Sequence, residues 1–183
     1  AFTSSLTGLN PGTKHYFRPY ATNQKATTYD SQKAFTTLAP TEVWVNPNWT
    51  SAQDVEDYNS AHGTSYTWQL DAFNSIQDGI DGVSGSVVNL LPGIHNLTAP
   101  MEITLDNLKL YGPQKDVDPR PSYGSTRTPG SASEAIVDGG GGRVLKIKAS
   151  NVEVNGIEFR NGSSYMIEQN VSGGVSNNSF KYN

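Results

Sequence analysis

The chain has no cysteine, few charges and no long apolar run, and each of these lacks excludes something. Without cysteine there is neither a disulfide framework nor a thiolate metal site. Charged residues make up only 16% of the 183, with a net charge of −4, which argues against a nucleic-acid partner needing a clustered basic surface. No segment approaches the roughly 18 consecutive apolar residues of a membrane span. The chain opens on Ala1-Phe2-Thr3, with no initiator Met, basic n-region or apolar h-region, so the expectation is an interior or processed piece of something larger. Hydrophobic residues reach only 35% beside 18 glycines, the balance of a turn-rich β protein rather than a helical bundle.

What is present is ordered most clearly between Asp71 and Gly112. Phe73, Ile76, Ile80 and Val83 recur at helical spacing, while Asn74, Gln77, Asp78 and Asp81 point elsewhere. Strand-like runs follow: Val87 to Leu91, a turn at Pro92-Gly93, Met101 to Leu105, and Leu108 to Gly112. Near the end, Val152, Val154, Ile157 and Phe159 alternate with Glu153, Glu158 and Arg160, as in strands with one dry face. Shifting this stretch by 23 positions sets Val152 on Val175, Asn155 on Asn178, Ile157 on Phe180 and Phe159 on Tyr182. Such self-similarity predicts stacked rungs, with Asn155 and Asn178 passing amide hydrogen bonds between equivalent turns.

Two family resemblances follow from particular residues. Leu9-Asn10-Pro11-Gly12-Thr13 and the run through Tyr16, Phe17 and Tyr20 to Asn23, then Gln32 to Thr37, resemble the last strands of a fibronectin type III domain, bacterial ones above all. His15 stands where that family places its corner tyrosine, and Pro19 interrupts the strand. About forty residues cannot bury a core alone, so other strands or another surface should complete the sheet. Phe73-x-x-Ile76-Gln77-x-x-Ile80-Asp81, Leu91-Pro92-Gly93-Ile94-His95, Leu110-Tyr111-Gly112 and Ala135-Ile136-Val137-Asp138-Gly139 are similar to the N-terminal rungs of the pectin methylesterase and pectate lyase group. That resemblance implies a right-handed parallel β-helix with a short helix covering its start. His95 and Leu97 depart from the tyrosine and the acidic residue usual there. The group's catalytic carboxylates and arginine lie on later rungs, and no residue here carries them.

The expected organisation is therefore mainly β. Residues 1–38 form the C-terminal strands of a fibronectin III-like partial β-sandwich, 39–42 a linker around Pro40, and 43–183 the cap and first rungs of the β-helix. Val43 to Val45 reads as a strand, 46–70 as irregular, and 114–133 as a long loop with Pro119, Pro121 and Pro129. Gly139 to Gly142 lacks a phosphate-loop ending and reads as a tight corner.

Candidate chemistry is sparse. Asp54, Glu56 and Asp57, or Asp116 and Asp118, could offer oxygen ligands to Ca²⁺, although solvated loop charge is the commoner use of such clusters. His15, His62 and His95 lack zinc spacing, and His95 reads as a surface or half-buried packing residue. Lys146, Lys148, Arg160 and Lys181 could attract an acidic polysaccharide, but Glu153, Glu158 and Glu168 among them favour a mixed-charge surface. Trp49, Tyr58, Tyr66 and Trp68, with Trp44, could stack on sugar rings or staple a cap in place. The sequons at Asn48, Asn96, Asn161, Asn170 and Asn177 read as turn residues. The expected role is a bacterial secreted or cell-surface module for adhesion or polysaccharide binding. The alternatives are the N-terminal part of a polysaccharide lyase or esterase, and a fibre subunit that recruits strands at open sheet edges.

Overall fold

The computed structural model describes residues 3, 6, 9, 12–120, 124, 126–163, 166–169 and 174–183. Asn10 and Pro11 of the corner motif, Pro121 and the Asn170 sequon lie outside them. Two antiparallel pairs come first. Lys14–Phe17 (β1) pairs with Lys33–Thr36 (β4), setting His15 opposite Phe35. Tyr20–Thr22 (β2) pairs with Thr27–Tyr29 (β3). The strand breaks at Arg18-Pro19, where proline has no N–H to give a ladder. Asn23 turns the second pair by accepting from Lys25 N and Ala26 N at 2.9 and 3.0 Å.

The rest is built on parallel strands. Glu42–Val45 (β5) is followed by Ala52–His62 (α1), Ala72–Phe73 (β6) and Ile76–Gly82 (α2). Then come Val87–Leu90 (β7), Gly93–Asn96 (β8), Met101–Ile103 (β9), Lys109–Tyr111 (β10), Ala135–Asp138 (β11) and Leu145–Ile147 (β12). Glu153–Asn155 (β13), Glu158–Arg160 (β14), Ile167–Gln169 (β15) and Ser179–Lys181 (β16) close the sequence. Three sheets result, in the orders β16-β13-β10-β7-β5-β6, β14-β11-β8 and β15-β12-β9. From β7 onward the chain visits them in strict rotation, one strand in each.

Parallel register stacks like upon like. Val43, Val88, Leu110, Val154 and Phe180 share one column, and Met101, Leu145 and Ile167 another. Except at the last strand of each sheet, these residues are buried and feed one apolar core. A fully buried Val or Leu contributes about 1.5–3 kcal/mol, so the columns carry the fold. Val152, Val154 and Ile157 are buried as expected, all at most 1% exposed, but the strict alternation ends at Val154, since Asn155 and Gly156 are buried too. Helix α2 packs Ile76 and Ile80 into the same core against β5, β6, β7 and β9.

Three expectations are corrected. The helix expected over Phe73–Val83 spans only Ile76–Gly82, because Ser75 caps it and Phe73 pairs as a strand with Val45. The stretch read as irregular contains α1, an 11-residue helix with little apolar periodicity and Val55 as its buried residue. The rung offset near the end is 26 residues rather than 23, so Asn155 lies opposite Lys181 and not Asn178. An odd error in offset exchanges the buried and exposed faces, so the matched residue types had no structural equivalence. The asparagines that do stack are Asn107, Asn151 and Asn177, all left-handed at φ 65, 59 and 57°. Asn151 N donates to Ser176 O and Asn107 N to Ser150 O, both at 2.9 Å, and Asn151 Nδ2 donates to Asn107 Oδ1 at 3.2 Å.

Glycines set the closest approach at the next corner. A Cβ on Gly112 would stand 2.0 Å from Gly156 O, and one on Gly156 (φ 73°) 2.2 Å from Lys115 N. The loop beyond, 113–134, is tied down by a bidentate ion pair: Arg127 Nε and Nη2 donate to Glu134 Oε1 and Oε2 at 2.7 and 2.8 Å. Both side chains are at most 1% exposed, and Arg127 Nη1 also donates to Tyr182 O, linking the loop to the last strand's exit.

Gly156→Ala should lower stability by about 3 kcal/mol or more. Gly141→Ala, equally left-handed (φ 86°) but with nothing within 4 Å of its new Cβ, should cost about 1 kcal/mol. Urea unfolding measures both, and equal losses would remove the close approach as the cause. Arg127→Met should cost about 3–5 kcal/mol by leaving the Glu134 carboxylate buried and alone. Adding Glu134→Leu should recover much of that loss, and a double variant no more stable than the single one would show that the ion pair is not the tie.

Candidate ligand cleft

The four aromatics expected to stack on sugars are gathered by α1. Ser51 caps the helix, accepting from Asp54 N at 3.3 Å, and Gly63 ends it in the left-handed region. Asn59 then shapes the following turn, donating from Nδ2 to Tyr66 O and accepting from Tyr66 N, at 2.8 and 2.9 Å. Tyr66 stacks on Trp44 at 4.5 Å, while Trp49 meets Tyr58 edge-on at 5.3 Å and Tyr66 at 6.0 Å. Trp68 packs on the same cluster. Trp49 is 2% exposed and offers no face to a ring; Tyr58, Tyr66 and Trp68 are half-buried. Burial, then the neighbouring Tyr58 and Asp71, push the Tyr66 phenol above its usual range.

Asp54, Asp57, Asp116 and Asp118 are engaged locally. Asp54 accepts from Thr50 N and Oγ1 at 2.7 and 2.8 Å, and Asp57 from Gln53 at 2.8 Å. Asp116 accepts from buried Asn155 at 2.8 Å. Asp118 clasps Arg120, and that guanidinium's hydrogen bonds hold its carboxyl down at about 2. Among the described residues no group of three or more His, Asp or Glu is placed to hold a metal ion. The four cations considered for an acidic polymer are each paired: Lys146 and Lys148 with Glu102, Arg160 with Asp138, and Lys181 with Glu153.

A concave feature lies elsewhere. A cleft of about 390 Å³ is lined by Pro47, by Asn74 to Gln77 and by Ile94 to Met101, and none of these residues is charged. Its floor is the edge of β8, which pairs only with β11. Gly93 N and Leu97 N donate to Glu134 O and Asp138 O, both at 2.9 Å. Strand alternation therefore turns the backbone N–H and C=O of Ile94 and Asn96 to the free side. The neighbouring edge, β9, is closed differently: Gln77 Oε1 accepts from Glu102 N at 2.8 Å and its Nε2 donates to Glu102 O at 3.2 Å. Asn74, Asn96 and Thr98 are exposed, and Ile94 is 45% exposed.

His95 sits against this cleft and differs from its sequence reading. It is 3% exposed, inward-facing in one column with Val137 and Phe159. Nε2 lies 3.0 Å from Leu91 O, which can only accept, so Nε2 carries the proton and Nδ1 is a bare acceptor. Nδ1 has no partner. The alternation Ile94-His95-Asn96 behind Pro92-Gly93 carried the signal for an inward histidine, but its parity was masked by the equally spaced Leu91, Ile94 and Leu97. Comparison with protein-family models, curated proteins and solved structures returns no match.

Burial lowers the His95 pKa from its ordinary 6.5, against a smaller opposing pull from the Leu91 carbonyl. The unfolded chain then takes up this proton before the folded one. The stabilisation is complete above the ordinary value and declines as pH falls through it. Urea midpoints between about pH 7 and about pH 5 should fall more steeply for the native chain than for His95→Phe. Parallel slopes would show that His95 is freely protonated in the folded state.

Proposed function

We propose that this chain is part of a bacterial secreted or cell-surface protein and serves adhesion by binding polysaccharide without cleaving it. Its frame on this reading is the capped start of a right-handed parallel β-helix over 43–183, α2 being the cap. A fibronectin III-like segment over 1–38 and a linker over 39–42 precede it. The rotation of three parallel sheets supports the frame, since stacked rungs are how such folds bury a core. The observation that carries the function is the uncharged cleft beside the free edge of β8, with exposed amide and hydroxyl groups at Asn74, Asn96 and Thr98. Neutral donors and acceptors over an apolar floor suit a polyhydroxylated ligand. The lyase or esterase reading asks for carboxylates and arginine, and the cleft lining has neither.

A second reading, assembly through open edges, is favoured by Ile167 and Phe180. They continue buried columns yet are 39 and 40% exposed on strands paired on one side only. Native electrophoresis through gels cast with a panel of neutral and acidic polysaccharides tests the first reading, with reducing-end assays on the same mixtures. Retardation in at least one polymer, with no new reducing ends, is expected. Unaltered mobility in every polymer would overturn the binding reading, and new reducing ends would replace it with an enzyme. Sedimentation velocity separates the second reading: large concentration-dependent assemblies would favour it, and a persistent monomer would remove it.

A further inference from the structure

Three features outside the fold's own bonding invite a use. The groove beside Phe180 and Tyr182, lined also by Asp118, Arg120 and Lys181, and the aromatic faces of β1 to β4 are open surfaces, and nothing in the structure says what covers them. The cleft over β8 is different, because its chemistry selects an occupant.

Every lining residue is neutral, so a carboxylated or sulfated ligand would lose water without gaining a cation. The neighbouring sheet, β9-β12-β15, pairs Lys146 and Lys148 with the single carboxylate of Glu102, and neither lysine lines the cleft. An extended peptide could pair with a free sheet edge, but this edge presents the backbone groups of only Ile94 and Asn96, between Pro47 and Pro100. That is too short a ladder for strand addition, which draws its affinity from a row of main-chain bonds. A single sugar residue fits the scale. Its hydroxyls can meet Asn74, Asn96, Thr98 and the two backbone units, and its C–H face can lie on exposed Ile94. The decisive group is His95 Nδ1, a buried acceptor with no partner. Buried polar atoms are nearly always satisfied, and an exception points to a water or ligand that supplies the missing bond.

Building on the polysaccharide reading above, we propose that the cleft takes one residue of a neutral sugar chain, a hydroxyl of which donates to His95 Nδ1 directly or through one water. The charge-free lining makes the site selective for neutral over uronic-acid polymers. His95 acts as a recognition residue, and the Leu91 carbonyl is its positioning partner, fixing the tautomer that leaves Nδ1 able to accept.

The test uses the whole chain with ¹⁵N-labelled histidine, titrated with neutral tetrasaccharides of glucose, galactose and mannose and with tetragalacturonate. At least one neutral tetrasaccharide should move the His95 Nδ1 resonance upfield as a hydrogen bond forms, and tetragalacturonate should leave it in place. Asn96→Ala, at an exposed position where folding is not at stake, should weaken that neutral ligand about tenfold. Asn96→Lys should admit tetragalacturonate.

Tetragalacturonate binding as well as the neutral ligands, or neutral binding that leaves both His95 and the Asn96→Ala affinity untouched, would overturn the proposal. So would a shift at Nδ1 produced by an extended neutral peptide and by no sugar. The two readings fail separately. Retardation in polysaccharide gels with a silent His95 sinks this site and leaves the function. A His95 response to free tetrasaccharide without retardation keeps the site and sinks polysaccharide adhesion.

Discussion

Everything in the parallel part of this molecule depends on rungs lying directly over one another. The spacing between paired strands is about 4.8 Å, and two devices hold the corners to it. The left-handed asparagines Asn107, Asn151 and Asn177 turn the chain at one corner, where Asn151 bonds to Asn107 on one rung and to Ser176 O on the next. At another, Gly112 and Gly156 let backbone lie on backbone where no side chain could pass. Once these corners stack, the inward columns have a single register, and each apolar residue is covered by its own kind above and below. A chain of low hydrophobic content can then build a dry core, because the inner three-residue strands β9, β10, β12 and β13 each bury at least one side chain.

The same stacking explains where the cleft is. The first sheet extends two strands further than the others, through β5 and β6. The second and third sheets begin at β8 and β9 and would each present an unpaired edge. At β9 the Gln77 amide substitutes for a backbone unit, giving one donor and one acceptor to Glu102. No such substitute meets β8, so its edge becomes the floor of a concavity walled by the α2 entrance and the turn 97–100. The site is a consequence of three sheets that start at unequal heights. Charges follow a different rule: Lys146, Arg160 and Lys181 pair across rungs with the carboxylates beside them. Such exposed pairs are worth little individually, but they leave the sheet faces without a field of one sign.

The sequence makes some of this legible and hides the rest for physical reasons. Val87 to Leu90 is readable because burial imposes period two there, and Ala135 to Val137 because a short continuous apolar run suits a strand buried on both faces. The caps of α1 at Ser51 and Gly63 were also on display, yet the helix buries little, and without a periodic face its signals lie among other turn residues. The rung offset is hidden in the sequence because successive rungs differ in length: 22 residues separate β7 from β10, 44 separate β10 from β13, and 26 separate β13 from β16. The register is set by hydrogen bonds between turns and not by a constant period. The cleft could not be read at all, since its walls come from 47, 74–77 and 94–101, joined only by folding.

Position 95 shows how a polar group in a column is tolerated and what it implies. Its neighbours in register, Val137 and Phe159, are apolar, and a phenylalanine there would continue the column with similar volume. A histidine instead spends one nitrogen on the Leu91 carbonyl and leaves the other dry, a cost of about 1–3 kcal/mol for an unmet acceptor. In mid-stack that cost would be permanent, because strands lie on both sides. At the first strand of its sheet no further strand covers that level on one side, and His95 lies in the lining of the cleft there. The penalty is therefore confined to the empty state and is relieved by whatever donates to Nδ1. An acceptor placed at an edge level of its column, beside the cleft, has the energetics of a recognition group rather than of a packing residue.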